Sequence, residues 1–581
     1  MSKKSAATKG RAPASAPPEK KPLSKGAWYA IASIPLLVFF FAYAPVINAP
    51  FLFDDTNQQY ALPEAVNPLR TWIGPVRPIL MFSYWANVQI SRTDTFSFHL
   101  VNLLIHAAAA FLVFLIIRRL LEWAGIEPQN RPWLAGFGAA LFLLHPLQSE
   151  SVAYIAGRSE ALSGLFGLAC ICAFVYRRSN AISWLATFAV LLLFLTAMLS
   201  KEQAIVVPAV LVLIDLCWNP AGPLKGILRN WKLYGLMALG AVAGVALFWR
   251  LILGQGTGGS AGFGIMPWYH YLFTEFRALW VYIFSFILPT SLNVDWEFDL
   301  SRSLFEHGAI IALAGLAAAT AAAFYYRRRF PLASFGFFLF VVLLLPTSSI
   351  LPIKDPVADR RMYLPMIGLT LIVIDFLSRW RRDRRTLIAA SAAVLVLMAF
   401  ATHARAEIWS DPVTLWQDSA AKSPGKSRPH FQLAQSYAFA QRYDLAVPEF
   451  EKAGALSPPT FDLLIDWGLA YDGAQQFDKA LDKLRQAIPL ARTPREAAHA
   501  QTQIGKVYAD QRDWPNAMQA LEAAEKLDPS FATIYVYKGL VHLATGDAAG
   551  GASECLHAQS IDPTFQPIQD CLAQARKMGA R

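Results

Sequence analysis

The apolar residues of the chain are distributed in two different ways along its length. Residues 28–405 hold a series of apolar runs, each close to the ~20 residues that a membrane-spanning helix needs. Residues 411–581 instead place apolar residues at helical spacing between polar ones, which is typical of a soluble helical protein. The pattern therefore predicts an all-α chain, with a polytopic membrane region followed by a soluble region.

Eleven of the apolar runs are predicted to span the membrane. A further apolar segment, residues 271–289, has Glu275 and Arg277 near its start, and we interpret it as a re-entrant or interfacial helix. The predicted spans are residues 28–48, 100–118, 133–147, 160–176, 182–199, 203–218, 232–252, 308–326, 331–346, 362–378 and 387–404.

The basic residues of the loops predict how the chain is oriented. The net charge of +11 is concentrated in a tail, residues 1–27, which we expect to be disordered and cytoplasmic, and in alternate loops such as Arg327–Arg329. With eleven spans these loops all lie on the cytoplasmic side, as the positive-inside rule requires, and the soluble region lies on the outer side. If residues 271–289 cross instead, Arg327–Arg329 fall on the outer side.

The soluble region repeats itself with a period of 34 residues. Small residues recur where two helices would cross, large ones recur where neighbouring units would pack, and Pro458, Pro529 and Pro563 close three of the units. This is the tetratricopeptide pattern, which builds a solenoid with a concave surface suited to an extended peptide. We therefore expect a linker at 406–426 and a solenoid at 427–581, with four units and a capping helix.

The composition narrows the class of protein. Hydrophobic residues make up 55% of the chain and charged residues 16%, which excludes a disordered protein, a collagen-like repeat and a small disulfide scaffold. The five cysteines show no zinc-binding spacing. Cys555 and Cys571 could form a disulfide between the fourth repeat and the cap if the soluble region lies in an oxidising compartment.

The densest polar clusters all lie in loops that the predicted orientation places on the outer side. A carboxylate there could accept the proton of a hydroxyl group or bind a divalent cation such as Mg²⁺ or Mn²⁺, and lysine or arginine could bind a phosphate. Together these groups suit transfer of a group from a phosphate-linked lipid donor to a hydroxyl acceptor. The candidates are Asp54 and Asp55 as catalytic or metal-binding residues, and His145, Glu150, Arg158, Lys201, Glu202, Arg360 and Arg361 as donor phosphate- or sugar-binding residues.

Several long motifs, together with the Asp54–Asp55 pair, resemble those of the TMTC family. The members of that family are multi-span proteins with C-terminal tetratricopeptide repeats, regarded as protein O-mannosyltransferases of the GT-C glycosyltransferase class. The motifs are RPILMFSYW (77–85), FHLVNLLIH (98–106), HPLQSESVAYIAGRSEALSGLF (145–166), LSKEQAIVVP (199–208) and LPTSSILPIKDPVADRRMYLP (345–365).

The resemblance implies an enzyme that takes a sugar from a polyprenyl- or dolichyl-phosphate carrier at the outer or lumenal face, the sugar being mannose in that family. It identifies Asp54–Asp55 as the acidic motif of the first outer loop, with one of the two as general base or as metal ligand. Asp54 is favoured as the base by analogy with the first acid of the class motif. Residues 271–289 would suit the membrane-parallel helix common in that class.

We therefore predict transfer of a sugar to a hydroxyl group, such as that of Ser or Thr in a protein held by the repeats. Other functions stay open: a non-catalytic scaffold for envelope proteins, a surface-polysaccharide polymerase or ligase and, last, a transporter. The N-terminal tail is basic, and no evident ER-retention signal stands at the C-terminal end of the sequence. Both features favour a bacterial inner membrane, with the repeats in the periplasm, over the ER membrane. No nucleic-acid partner is expected, because the excess of basic residues is a topology signal.

Overall fold

The computed structural model describes residues 25–62, 67–177, 181–252 and 266–579, and their regular elements are all helical. Most of the predicted N-terminal tail, residues 1–24, lies outside these residues. The all-α fold class is therefore confirmed for the part of the chain that is described.

Fifteen helices build the membrane region, and each of the eleven predicted spans coincides with one of them. Helices α2, α5, α9 and α11 are additional to those spans. The helices are α1 (Lys25–Tyr43), α2 (Pro78–Ser91), α3 (Thr95–Trp123), α4 (Arg131–Leu144), α5 (Ser149–Ala153), α6 (Arg158–Arg177), α7 (Trp184–Ser200), α8 (Val207–Trp218), α9 (Pro223–Arg229), α10 (Trp231–Ile252), α11 (Trp268–Ile287), α12 (Ala309–Tyr325), α13 (Pro331–Leu344), α14 (Met366–Arg379) and α15 (Arg384–Ile408).

Within the described residues, four helical segments are by themselves long and apolar enough to cross a membrane: Thr95–Trp123, Arg158–Tyr176, Glu306–Tyr325 and Arg384–Ile408. Others, such as α4, α7 and α13, are apolar but shorter. The chain is thus a membrane protein, and the number of eleven spans stays a prediction.

The interior of the membrane region is close-packed, whereas its outer surface is apolar. Ile311 is 76% exposed on α12, as expected of a side chain that faces lipid. Helices α13 and α14 meet at Gly336 and Gly368, where a Cβ on Gly336 would lie 2.3 Å from the Gly368 carbonyl oxygen. The contact therefore requires glycine, because small residues let membrane helices approach closely.

Helix α11, predicted as interfacial, lies against the outer loops. The Arg277 side chain donates from Nη1 to the Asp299 carbonyl oxygen at 2.8 Å and stacks over the Phe298 ring at 4.5 Å. The buried carboxylate of Glu275 lies 3.7 Å from Nη1 of Arg361. These contacts hold the middle of α11 beside the loop that follows it, and its position along the membrane stays a prediction.

Ten helices build the soluble region. Helices α17 to α24 form four antiparallel pairs, one for each predicted repeat, and α25 forms the cap, joined to α24 by the Cys555–Cys571 disulfide. The helices are α16 (Pro412–Lys422), α17 (Ser427–Phe439), α18 (Tyr443–Leu456), α19 (Phe461–Gly473), α20 (Phe477–Ala487), α21 (Pro494–Asp510), α22 (Trp514–Leu527), α23 (Ala532–Ala544), α24 (Ala548–Ile561) and α25 (Gln566–Lys577).

The segment predicted as a linker, residues 406–426, differs from that expectation. Helix α15 continues to Ile408, α16 follows after a short turn, and Trp409 and Trp416 are both buried. Arg405 of α15 and Asp418 of α16 form an ion pair at 2.6 Å. The polar residues that suggested a linker are the outer face of an amphipathic helix, so the two regions are joined by a packed element.

Candidate functional site

Asp54 and Asp55 lie in a short 3-10 helix, Phe53–Asn57, that follows α1. Phe53 has a φ of 51°, in the left-handed region that residues other than glycine seldom adopt. Its ring is held edge-on against Trp416, with ring centroids 5.2 Å apart. The segment thought to be a linker therefore supports the backbone of the acidic pair.

Asp55 is buried and fully hydrogen-bonded. Its carboxylate accepts from the Tyr60 hydroxyl at 2.6 Å, from the Ala156 backbone N–H at 2.8 Å and from the Leu52 backbone N–H at 3.2 Å. Burial raises the pKa of Asp55 to about 7, and the three hydrogen bonds oppose that rise. Asp55 therefore ties the acidic loop to the turn before α6 and is not free to meet a substrate.

Asp54 is exposed, in contrast with its neighbour. Its backbone N–H donates to the Tyr154 hydroxyl oxygen at 3.1 Å. Burial of part of the side chain raises the pKa of Asp54, while the charge of Arg360, a hydrogen bond from Tyr154 and the charge of Arg428 lower it. Of the two carboxylates, only Asp54 is placed to accept a proton from a substrate.

Arg360, whose charge acts on Asp54, is anchored by Glu150. Its backbone N–H donates to Glu150 Oε2 at 2.8 Å, and its Nη1 donates to Glu150 Oε1 at 2.5 Å. The Glu150 side chain is 3% exposed and the Arg360 side chain 35% exposed. Among the described residues, Nε and Nη2 of Arg360 have no hydrogen-bond acceptor, so these donors can meet an anionic ligand.

Lys201 and Glu202 each form an ion pair with a residue from another of the charged motifs. Lys201 is almost buried and forms an ion pair with Glu160. Burial lowers the pKa of Lys201, and the charge of Glu160 opposes that change. The Glu202 carboxylate accepts from Arg77 Nε at 2.9 Å. The charges of Arg77 and Arg360 also act on Lys201, so these pairs and Glu150–Arg360 belong to one cluster of charges.

Arg158 is buried beneath the site. Its guanidinium donates to Asn102 Oδ1 at 2.7 Å and to Asn87 Oδ1 at 2.9 Å, and it stacks over the Tyr84 ring at 4.6 Å. These contacts tie α6 to α2 and α3. Arg158 can therefore affect a bound donor only through the helices that it positions.

His145 and Arg361 are also held inside the protein. His145 Nε2 is 2.9 Å from the Phe286 carbonyl oxygen, and its Nδ1 accepts from the Leu147 backbone N–H at 3.2 Å. Arg361 donates from Nη2 to the Asp355 carbonyl oxygen at 2.5 Å and lies beside Glu275. Both residues fix α11 and the outer loops, and neither is placed beside Asp54 by these contacts.

Three members of the site were not among the predicted site residues: Arg77, Tyr154 and Glu160. Arg77 has a φ of 49°, and such strain recurs at functional sites. All three lie inside the motifs that carry the family resemblance, so the signal was present, but a linear motif does not distinguish a site residue from a packing residue.

The turn between α5 and α6 is tight, since a Cβ on Gly157 would lie 2.6 Å from the Glu150 carbonyl oxygen.

The acidic pair does not fit a shared divalent cation. Both oxygens of Asp55 already accept hydrogen bonds, and a cation of this class needs several oxygen ligands. Within the described residues, no group of three or more His, Cys, Asp or Glu side chains converges as metal ligands do. No step of the chemistry below is therefore assigned to a metal held by Asp54 and Asp55.

Comparison with known proteins supports the resemblance seen in the motifs. No family model matches the chain. A protein O-mannosyl-transferase of Caenorhabditis elegans is 23% identical over 445 residues, covering 72% of this chain and 62% of that protein. The human protein O-mannosyl-transferases TMTC4 and TMTC1 are 26% and 25% identical, covering 62% and 66% of this chain and 55% and 48% of their own lengths.

MamA and YrrB are among the solved structures that match part of the chain. MamA is 19% identical over 26% of this chain and 86% of its own, with a TM-score of 0.23. YrrB, titled a TPR protein with an unusual peptide-binding site, is 18% identical over 27% of this chain and 80% of its own, also with a TM-score of 0.23.

The chain spans about half to three fifths of the length of the worm and human relatives that it matches. These relatives are animal proteins, so the predicted bacterial origin has no support from them. Over most of its length, however, this chain is a homologue of the TMTC-family proteins named protein O-mannosyl-transferases, as its motifs indicate.

Proposed function

We propose that this protein transfers mannose from a polyprenyl-phosphate carrier to a Ser or Thr hydroxyl group of a protein, at the outer or lumenal face of its membrane. The names of the homologues support a mannosyl donor and a protein acceptor. The lipid carrier and the face of the membrane follow from the family resemblance and the positions of the charged loops. The observation that carries the proposal is the division of the acidic pair into one exposed and one fully bonded carboxylate.

Asp54 is the proposed general base. The acceptor oxygen attacks the anomeric carbon of the sugar, and Asp54 takes the hydroxyl proton as the new carbon–oxygen bond forms. The bond between the anomeric carbon and the phosphate oxygen breaks, and its electron pair leaves with the lipid phosphate. One displacement of this kind inverts the configuration at the anomeric carbon.

Arg360 is the proposed partner of the departing phosphate. Its side chain is partly exposed, and its free Nε and Nη2 donors suit two oxygens of a phosphate. Glu150 holds the guanidinium in place before the donor binds, so no reorganisation is needed as charge develops on the phosphate. Lys201 and Arg77 add positive charge nearby, balanced by Glu160 and Glu202.

The proposal is tested with the purified full-length protein, a panel of polyprenyl-phosphate sugars and a library of Ser- and Thr-containing peptides. We expect the mannosyl donor to be consumed and hexose to appear on peptides, as measured by mass spectrometry. Asp54→Asn should lower the rate by ~10²–10⁴-fold, the usual contribution of a general base, without changing the melting temperature. Asp482→Asn, on the exposed face of α20, is the matched control.

Each outcome is decisive for one part of the proposal. If the wild-type protein consumes no donor in the panel, the transferase assignment is wrong, and capture of proteins without transfer would favour the scaffold. If Asp54→Asn keeps full activity, Asp54 is not the base. We expect EDTA to leave the rate unchanged, since the acidic pair does not fit a shared cation. Loss of activity that Mn²⁺ or Mg²⁺ restores would overturn this expectation.

A further inference from the structure

A groove of about 680 Å³ lies between the first repeat and the outer loops of the membrane region. One wall comes from residues 296–300 and 354–356, and the other comes from the start of α17 and the turn before α19. The side chains that line the groove include those of Lys354, Asp355, Arg428, Phe431, Ser457 and Leu463.

The two walls of the groove are joined by ion pairs, with the buried Asp295 among them. Asp295, which is 3% exposed, accepts from Arg428 Nε at 2.6 Å and forms an ion pair with Lys426. Asp355 lies 2.9 Å from Arg428 Nη2 and 3.3 Å from Lys426 Nζ. A site with walls fixed in this way is formed before a ligand arrives, which lowers the entropy cost of binding.

The groove is linked to the candidate base through residues of its walls. Asp355 and Arg428 line the groove, and their charges also act on the carboxylate of Asp54. The Phe53 ring next to Asp54 packs on Trp416 of α16, the helix that leads into the first repeat. Trp296 of the groove wall also donates from Nε1 to Asp359 at 2.9 Å, and the next residue, Arg360, is the charge that acts most strongly on Asp54.

The groove also leads to a strip of half-buried rings on the repeats. Phe431 and Leu463 line the groove itself. Phe461, at the start of α19, lies 6.4 Å from His499 of α21, and His499 lies 5.9 Å from Phe531, just before α23, measured between ring centroids. These rings continue the groove across successive repeats, where side chains of an extended polypeptide could pack.

The lining chemistry suits a polypeptide. The charged lining residues are three acidic (Glu297, Asp299, Asp355) and three basic (Lys354, Lys426, Arg428), so the groove does not select a polyanion. Aromatic rings and prolines alternate with these charges, as in sites that bind mixed side chains.

We propose that this groove binds an extended segment of the acceptor protein and presents its hydroxyl group to Asp54. The inference rests on the proposed transferase function, and it moves the acceptor site from the concave face of the solenoid to the junction of the two regions. The first repeat is then a wall of the acceptor site as well as a part of the solenoid.

Photo-crosslinking tests this site without relying on activity. The probe is a biotinylated library of 12-residue peptides, each with a central Ser or Thr, added to the full-length protein. p-Benzoylphenylalanine replaces Phe431 in the groove or, as a matched control on the same helix, Phe439, which is 88% exposed. We expect about tenfold more adduct at Phe431, the ratio that a gain of one strong contact produces.

A steric block tests the same site by kinetics. Ser457→Trp places a large ring in the groove, and Ser560→Trp places the same ring on the exposed surface of α24. We expect Ser457→Trp to raise the KM for the peptide library about tenfold or more with little change in the donor KM, and Ser560→Trp to behave like the wild type.

The two tests separate this inference from the proposed function. Equal crosslinking at Phe431 and Phe439, or an unchanged peptide KM in Ser457→Trp, would overturn the groove assignment even if transfer occurs. Preferred crosslinking at Phe431 without any donor consumption would keep the groove and remove the transferase. Competition by soluble mannan, but not by unlabelled peptides, would show that the groove binds glycan and would also overturn the inference.

Discussion

The membrane region and the repeat region are both built from helices, but they distribute polar groups in opposite ways. On α12 the large side chain of Ile311 faces outward, while the Glu150–Arg360 pair lies close to the protein interior. In the repeats Phe450 is buried, and the Glu525 carboxylate that pairs with Lys538 is 36% exposed. Because lipid rejects polar groups and water accepts them, the membrane region must gather its charges inside, where they can act on a ligand.

The same difference explains where the two regions meet. Asp295 and Asp355 of the membrane region receive Lys426 and Arg428 of the repeat region. A charged joint of this kind assembles outside the lipid, where water solvates the charges before the two regions dock. The candidate site therefore draws on both regions, and it is connected to the repeats by these ion pairs and by the packing of Phe53 on Trp416.

The largest expected effect comes from removing a buried carboxylate in each region. Asp55→Ala leaves three donors without an acceptor, so we expect the free energy of unfolding to fall by ~1–3 kcal/mol and transfer to be lost. Asp466→Ala on α19 removes a half-buried acceptor for Gln435 and should change stability by less than ~1 kcal/mol. Thermal unfolding of the two variants checks this difference, and equal melting temperatures would contradict it.

A smaller effect is expected when one ion pair is neutralised in each region. Glu150→Gln leaves Arg360 without its anchoring charge, and we expect ~1–2 kcal/mol of lost stability together with a higher KM for the lipid donor. Glu525→Gln leaves Lys538 paired with Glu554 and should cost less than ~0.5 kcal/mol, with no change in the donor KM. A similar loss of stability in both variants, with the donor KM unchanged, would show that the Glu150–Arg360 pair contributes no more than a surface ion pair.

The smallest effect concerns the pH dependence of transfer. Because the base must be ionised and burial raises the pKa of Asp54, activity should fall with decreasing pH at a point above 3.8, the ordinary value. Removing the positive charge in Arg428→Gln destabilises the Asp54 carboxylate, so this acid limb of kcat/KM should move to higher pH. Arg428→Lys keeps the charge and serves as the control. If the acid limb does not move in Arg428→Gln, the charge of Arg428 in the first repeat does not act on Asp54.

Much of the fold could be predicted from particular patterns. Each apolar run became a helix, and the period of 34 residues became four helix pairs and the capping helix α25. The ends of helices were also readable, as in α13, which begins at Pro331. The length of an apolar run and the period of a repeat are local properties of the sequence, so a single sequence is enough to recognise them.

The candidate site could be predicted only in part. Asp54, Glu150, Lys201 and Arg360, which come from separate charged motifs, interact through their charges in the structure, and their roles at a site stay a prediction. Arg158 was expected to touch the donor but is 0% exposed. A motif records which residues occur together, whereas exposure depends on helices that are distant in sequence.

The sequence by itself determined the helices, the order of the two regions and the type of charge available on the outer face, because these depend on local patterns and on composition. Only the tertiary structure decided that Asp55 is buried and Asp54 exposed, since Ala156, a donor to Asp55, lies 101 residues from it along the chain. Likewise, only the fold placed Arg428 of the first repeat beside the acidic loop. Burial and hydrogen bonding are properties of packed elements, and no single segment contains them.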